Sequence, residues 1–182
     1  QKGDKEDRGL IRYLYKNQHL SPFEQVQFTF RVKCPIFVAR QWFRHRAFSY
    51  NEYSGRYSEM IDDMFVPESF RVQGVKNHQG SGELIEDSLN EVLLIKTKST
   101  YYDLKESYDD MINLGVSREL ARVIMPVANY TEFYFTGDLR NLFHFLELRL
   151  HSHAQYEIKV FAEAILEILK EIHELKWSME IF

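Results

Sequence analysis

Within eighteen residues, 40-RQWFRHRAFSYNEYSGRY-57, the chain gathers Arg40, Arg44, Arg46 and Arg56 beside Gln41, His45, Glu52, two serines and six aromatic residues. A guanidinium pairs bidentately with phosphate and stacks on flat rings, so this density suits a polynucleotide backbone, a small phosphorylated ligand or a flavin. Ser54 raises nucleophilic chemistry, but a serine needs an adjacent base, and no strand-to-helix elbow is present to place one. Cys34 is the better intrinsic nucleophile, yet it falls on the apolar face of an alternating stretch and reads as core. The 151-HSH-153 run with His144 nearby suggests zinc. Histidines two apart on a helix point to nearly opposite sides, and no cysteine or carboxylate stands at a recognised spacing, so no metal site is expected. The glycines form neither a dinucleotide fingerprint nor a P-loop, which leaves arginine as the means of holding phosphate.

The elements that must position these groups follow from periodicity. Residues 7–18 carry Leu10, Ile11 and Leu14 at helical spacing, and Ser21-Pro22 closes the segment with His19 in the exit turn. The stretch 25-QVQFTFRVKC-34 alternates throughout and predicts a half-buried strand with Val26, Phe28, Phe30, Val32 and Cys34 inward. Pro35 suits a first helical turn, and residues 36–46 are expected to continue that helix, with Arg40 and Arg44 on one face. Residues 49–56 read as a loop and 66–82 as a surface connection. A long helix is expected over 83–113, with Leu84, Leu89, Val92, Leu93, Tyr101, Leu104 and Met111 as its apolar side and Gly115 at its end. Ser117 should cap a short helix that Pro126 terminates. Residues 130–136 are a strand or a buried extended piece. Asp138 should cap a helix through residue 150, and 152-SHAQ-155 matches a capping box for another helix reaching about residue 172. The order gives an α+β fold, helix-rich, with a small antiparallel sheet.

A chain of 182 residues that is 45% hydrophobic is long enough for one domain with a substantial core. A single catalytic domain over 1–182 is the expectation. The formal net charge of −4 argues against a surface devoted to nucleic acid or anionic membrane, so any cationic function is local. One cysteine and no apolar run of membrane-spanning length lead to the expectation of a cytoplasmic protein.

The string 44-RHRAFSYNEYSGRY-57, with Arg-His-Arg, seven residues and then Ser, resembles the signature of the flavin-dependent thymidylate synthases. The similarity extends to 16-KNQHLSPFE-24, 35-PIFVARQWFRHR-46, 118-RELARVIMP-126 and 145-FLELRLHSHAQYE-157, nearly the whole chain, although members of that family usually extend further at the N-terminus. The resemblance implies a homotetramer with FAD where subunits meet. It also implies conversion of dUMP to dTMP with methylenetetrahydrofolate as carbon donor, NADPH as reductant and no protein nucleophile.

By the same resemblance, dUMP is expected to meet Gln41, Trp42, Phe43, Arg44, Glu52, Tyr53, Ser54, Gly55, Arg56, Arg122 and Arg149. Arg149 is the catalytic residue, a fixed charge against the uracil carbonyl that favours ionisation at N3. By spacing alone it reads as a helix-surface cation opposite Glu147 or Glu157. FAD is expected at Ser21, Arg44, His45, Arg46, Glu52, Asp138, Arg140, His144 and His153, with His19 near the folate. Asp138 and His144 depart from the asparagines that many relatives carry; an aspartate beside a pyrophosphate would repel it, which points Asp138 toward the adenine or ribose.

Overall fold

The computed structural model describes residues 3–75 and 80–182. The chain packs as two compact units. The first comprises Gln1–Phe30, His45–Ser49 and Phe135–Phe182; the second comprises Arg31–Arg44 and Tyr50–Tyr134.

In chain order the elements are helix α1 (Asp4–Lys16), strand β1 (Gln27–Pro35), helix α2 (Ile36–Trp42), strand β2 (Ser49–Glu52), strands β3 (Arg71–Gln73) and β4 (Ser81–Leu84), helix α3 (Asp87–Asn113), helix α4 (Arg118–Ala121), strand β5 (Tyr130–Asp138) and helices α5 (Leu139–Leu150), α6 (Tyr156–Glu171) and α7 (Lys176–Met179). Strands β1, β5 and β2 pair in that order, and β3 and β4 form a separate two-stranded sheet. Thr29 faces Thr136 and Arg31 bonds Glu132, so numbers rise along β1 as they fall along β5, an antiparallel pairing. The class is α+β, helix-rich with small antiparallel sheets.

The first unit is built on α5 and α6. Asp138 caps α5, its Oδ1 accepting from the Asn141 backbone N–H at 2.9 Å. Leu139, Leu142, Phe143, Phe145 and Leu146 on α5, and Ile158, Ala162, Ile165 and Leu169 on α6, are buried. Their three- and four-residue steps put each set on one helix face. Tyr15 on α1 meets Phe143 edge-on at 5.9 Å, and the Phe182 ring stacks on Phe143 at 5.0 Å. Each such pair adds about 0.5–1.5 kcal/mol to the burial itself. Helix α1 closes by a Schellman turn. Gln18 adopts φ 58°, its N–H donates to Tyr15 O, and His19 N–H donates to Leu14 O.

The second unit buries Val32, Cys34, Val38, Ala39, Trp42, Tyr108 and Phe133. Asn129, fully buried, fastens three segments of it: its Nδ2 donates to Ile61 O and Tyr130 O, and its backbone oxygen accepts from Ile36 N–H. Helix α3 contributes a single fully buried residue, Tyr108, while Leu89, Val92 and Ile95 are 52%, 60% and 63% exposed.

Several expectations are corrected. Strand β1 alternates as expected from Gln27 on, but Val26 precedes it and is exposed rather than inward. Helix α2 stops at Trp42, so Arg44 lies outside it and does not share a helical face with Arg40. Residues 49–52 are a strand, not loop, because β5 offers its edge to them. The stretch 66–82 contains β3 and the start of β4, with residues 76–79 outside the described residues. The long helix begins at Asp87; Leu84 lies in β4 and is 65% exposed. Ser117 precedes α4 without a side-chain capping bond, and residues 122–124 tighten into a 3₁₀ turn before Pro126. The 152–155 capping box does not form: α6 begins at Tyr156 with Gln155 as its N-cap residue.

Candidate active site

The second unit contains a cavity of about 400 Å³ lined by six of the residues singled out by sequence, Glu52, Tyr53, Ser54, Gly55, Arg56 and Arg122. The chain reaches it by a local device. Tyr53 N–H donates to Glu132 O at 2.8 Å, carrying the β2 pairing one residue further, and Ser54 O then accepts from Tyr57 and Ser58 N–H at 3.2 and 3.1 Å. This tight turn, with Arg56 N–H on Ser54 Oγ at 3.4 Å, is the serine-type turn that hydroxyl residues favour. Gly55 is buried at its centre. A Cβ there would lie 2.5 Å from Met60 Sδ and 3.9 Å from the Arg122 side chain, so a larger residue would have to displace the Met60 side chain from the cavity wall.

Electrostatically the cavity sets two guanidiniums, Arg56 and Arg122, against one carboxylate, Glu52. Glu52 is held by Thr131, whose hydroxyl donates to Oε1 at 2.7 Å from a position only 6% exposed. Arg56 lies over the Tyr57 ring at 5.3 Å. Cationic groups, a hydroxyl, a fixed carboxylate and flat rings in one small concavity can take a phosphorylated ligand with a sugar and a planar base.

Gln41, Trp42, Phe43 and Arg44 do not line this cavity. Trp42 is fully buried, edge-on to Phe133 at 5.6 Å, so its indole serves the core. Phe43 packs on Phe133 and Tyr50 at 5.0 and 4.8 Å, and Arg44 is exposed. Ile36, Tyr57, Met60, Ile61, Tyr130 and Thr131 line the cavity without having been picked out. Thr131 left a trace in the sequence: it falls in register with the inward Phe133 and Phe135, where a polar residue calls for a hydrogen-bond partner.

The first unit assembles a second set. Arg149, in the last turn of α5, donates from Nε to His45 Nε2 at 3.0 Å. The His45 ring lies 4.9 Å from Phe145, 6.1 Å from Phe48 and 6.3 Å from the His144 ring. Burial, then the positive charge of Arg149 and the neighbouring His144, hold the His45 pKa down to about 4. Gly137 allows this packing, since a Cβ there would overlap the Phe48 ring. Arg140 pairs with Glu24, and the Asp138 carboxylate is engaged by Asn141 through both its backbone N–H and its Nδ2 at 2.7 Å. His19 sits edge-on to Tyr13 at 6.1 Å, and Ser21, Arg46, His144 and His153 are exposed. His153 N–H donates to His151 Nδ1 at 3.2 Å. Among the described residues, no group of three or more His, Cys, Asp or Glu could hold a metal ion.

Cys34 is fully buried, and burial followed by the nearby Glu52 charge pushes its thiol up to about 12, which removes it as a nucleophile at neutral pH.

Comparison with known proteins supplies independent findings. The family profile described as thymidylate synthase complementing protein matches residues 1–174. The chain is 49% identical over 174 residues to a flavin-dependent thymidylate synthase of Thermus thermophilus, covering 96% of this chain and 63% of that protein. It is 41% identical over 181 residues to the flavin-dependent thymidylate synthase of Thermosipho africanus, covering 100% of this chain and 78% of that one. Among solved structures it resembles the UMP/dUMP methylase PolB from Streptomyces cacaoi bound with 5-Br dUMP. There the TM-score is 0.86 and the identity 32%, over 98% of this chain and 80% of the other. The chain thus spans about 63% of the length of the Thermus relative.

Proposed function

This chain belongs to the flavin-dependent thymidylate synthase family, and from that premise we propose that it methylates dUMP to dTMP. Methylenetetrahydrofolate is the carbon donor, NADPH the reductant and FAD the cofactor, in a homotetramer with FAD where subunits meet. The observation that carries the reading is the second unit's cavity, where Arg122 joins Glu52, Ser54, Gly55 and Arg56 from a distant part of the chain. Arg56 and Arg122 offer paired donors to the nucleotide phosphate, the Ser54 hydroxyl adds another, and the Glu52 carboxylate accepts from a sugar hydroxyl. Arg149 is the charge at the uracil carbonyl, stabilising the anion that forms when N3 loses its proton and so activating the ring without a covalent bond to protein. The deeply buried Cys34, its thiol pushed up to about 12, accords with a mechanism that does not use it as a nucleophile.

The donor set of the first unit fits a flavin dinucleotide. Arg46 presents a guanidinium and Ser21 a hydroxyl at the surface, suited to a diphosphate, while Arg140, paired with Glu24, and the exposed His153 offer further guanidine and ring nitrogens. The capping bonds at Asp138 offset its charge with a helix N-terminus, which eases the repulsion that its carboxylate would otherwise exert. FAD, when bound, supplies two-electron reduction chemistry. His19 is assigned to the folate side. The exposed apolar residues of α3 accord with a face covered by another subunit.

The test is spectroscopic and chemical. Purified protein should show a flavin absorption band that changes on adding dUMP, and with folate and NADPH it should release tritium from dUMP labelled at C5. Arg149→Ala should lower that release by about 10²–10³-fold; an unchanged rate would remove the role given to Arg149. Light scattering should give the mass of four chains, and a monomer would sink the assembly.

A further inference from the structure

We propose that His45 is a positioning residue for Arg149, acting as a neutral acceptor that aims the guanidinium without cancelling its charge. The inference rests on the role given to Arg149 above.

The 3.0 Å bond runs from Arg149 Nε to His45 Nε2, joining residues 104 positions apart in the sequence. A ring nitrogen that accepts carries no proton, so the single imidazole proton resides on Nδ1. The ring is seated by two pieces of the first unit. The turn closed by Phe48 N–H on His45 O brings Phe48 against it, Phe145 of α5 meets it at 4.9 Å, and the two phenyl rings lie 6.1 Å from each other. Removal from water beside Arg149 and His144 keeps the ring uncharged, and so able to accept, through the neutral range.

The choice of an imidazole at this place has a physical reason. A carboxylate accepting from Nε would orient the side chain equally well, but it would set a negative charge against the cation. That would weaken the field available to a developing anion. The imidazole gives direction alone. It also orders a long, flexible side chain before substrate arrives, so that ordering is not charged to the binding step.

The experiment uses the full chain with isotope-labelled histidine and arginine. In the wild type, nitrogen NMR at neutral pH should give His45 Nε2 as an unprotonated acceptor and Nδ1 as protonated. The Arg149 Nε–H, assigned by its loss in Arg149→Lys, should exchange slowly with water. His45→Phe keeps a ring packed on Phe48 and Phe145 and deletes the acceptor, whereas His45→Gln restores one. Slow exchange should vanish in the first and return in the second. At equal flavin content, checked by absorbance, tritium release from C5-labelled dUMP should fall in kcat by about tenfold or more in His45→Phe, with partial recovery in His45→Gln. A wild-type His45 protonated on Nε2 would overturn the proposal, as would slow Arg149 Nε–H exchange that survives His45→Phe. A wild-type chain that releases no tritium would overturn the functional reading beneath it, whatever the resonances give.

Discussion

A charged side chain acts on a substrate only as well as it is aimed, and the Arg149–His45 bond illustrates how much of a residue's chemistry lies in its neighbour. Arginine type alone announces a phosphate or carbonyl partner; burial of the acceptor decides which protonation state faces it. A pH dependence follows. The His45 pKa stands near 4 in the folded chain, against the ordinary 6.5 of an exposed histidine. Between those values the unfolded chain binds the extra proton and the folded chain does not, so unfolding gains ground as pH falls from about 6.5 to about 4. Thermal midpoints across this window should decline with falling pH in the wild type and decline less in His45→Gln; parallel curves would show that His45 does not carry the dependence. The same scale explains Cys34. With its thiol fully buried and pushed up to about 12, a thiol reagent should label it only after denaturant is added.

At the scale of elements, the segments read correctly are those whose period is dictated by burial. The alternation survives over 27–34 in β1, though not at the exposed Val26, because its inward face is Phe28, Phe30, Val32 and Cys34, and a one-residue slip would expose them all. The Asp138 cap of α5 was legible because its side chain acts locally. Asp138→Ala should therefore cost about 1 kcal/mol in urea unfolding; no loss of stability would mean the cap is idle. Elements that depend on a remote partner were not legible. Strand β2 has a polar, loop-like composition and is extended because β5 pairs with it; β3 and β4 are likewise made by each other. Helix α2 ends at Trp42 because Trp42 and Phe43 are drawn onto Phe133, a contact that helix propensity does not foresee.

For the molecule as a whole, the net charge of −4 left room only for local cationic chemistry, and the second unit's cavity, with two guanidiniums and one carboxylate, meets that condition. The spacing puts Leu89 and Val92 on the apolar side of helix α3, yet both are largely exposed while Tyr108 is buried. Periodicity finds apolar faces but does not say whether a face is covered by its own chain. By itself the sequence determined the α+β class, the main helices, the buried strand and the motif from Arg44 to Tyr57, because each is written in local spacing or in a contiguous string. Only the tertiary structure decided that Arg122 and Thr131 join Glu52 at one cavity, that Trp42 belongs to the core, and that an acceptor for Arg149 is a half-buried neutral histidine. Those outcomes depend on which distant segments pack together and on the water they exclude, and neither is encoded in the order of neighbouring residues.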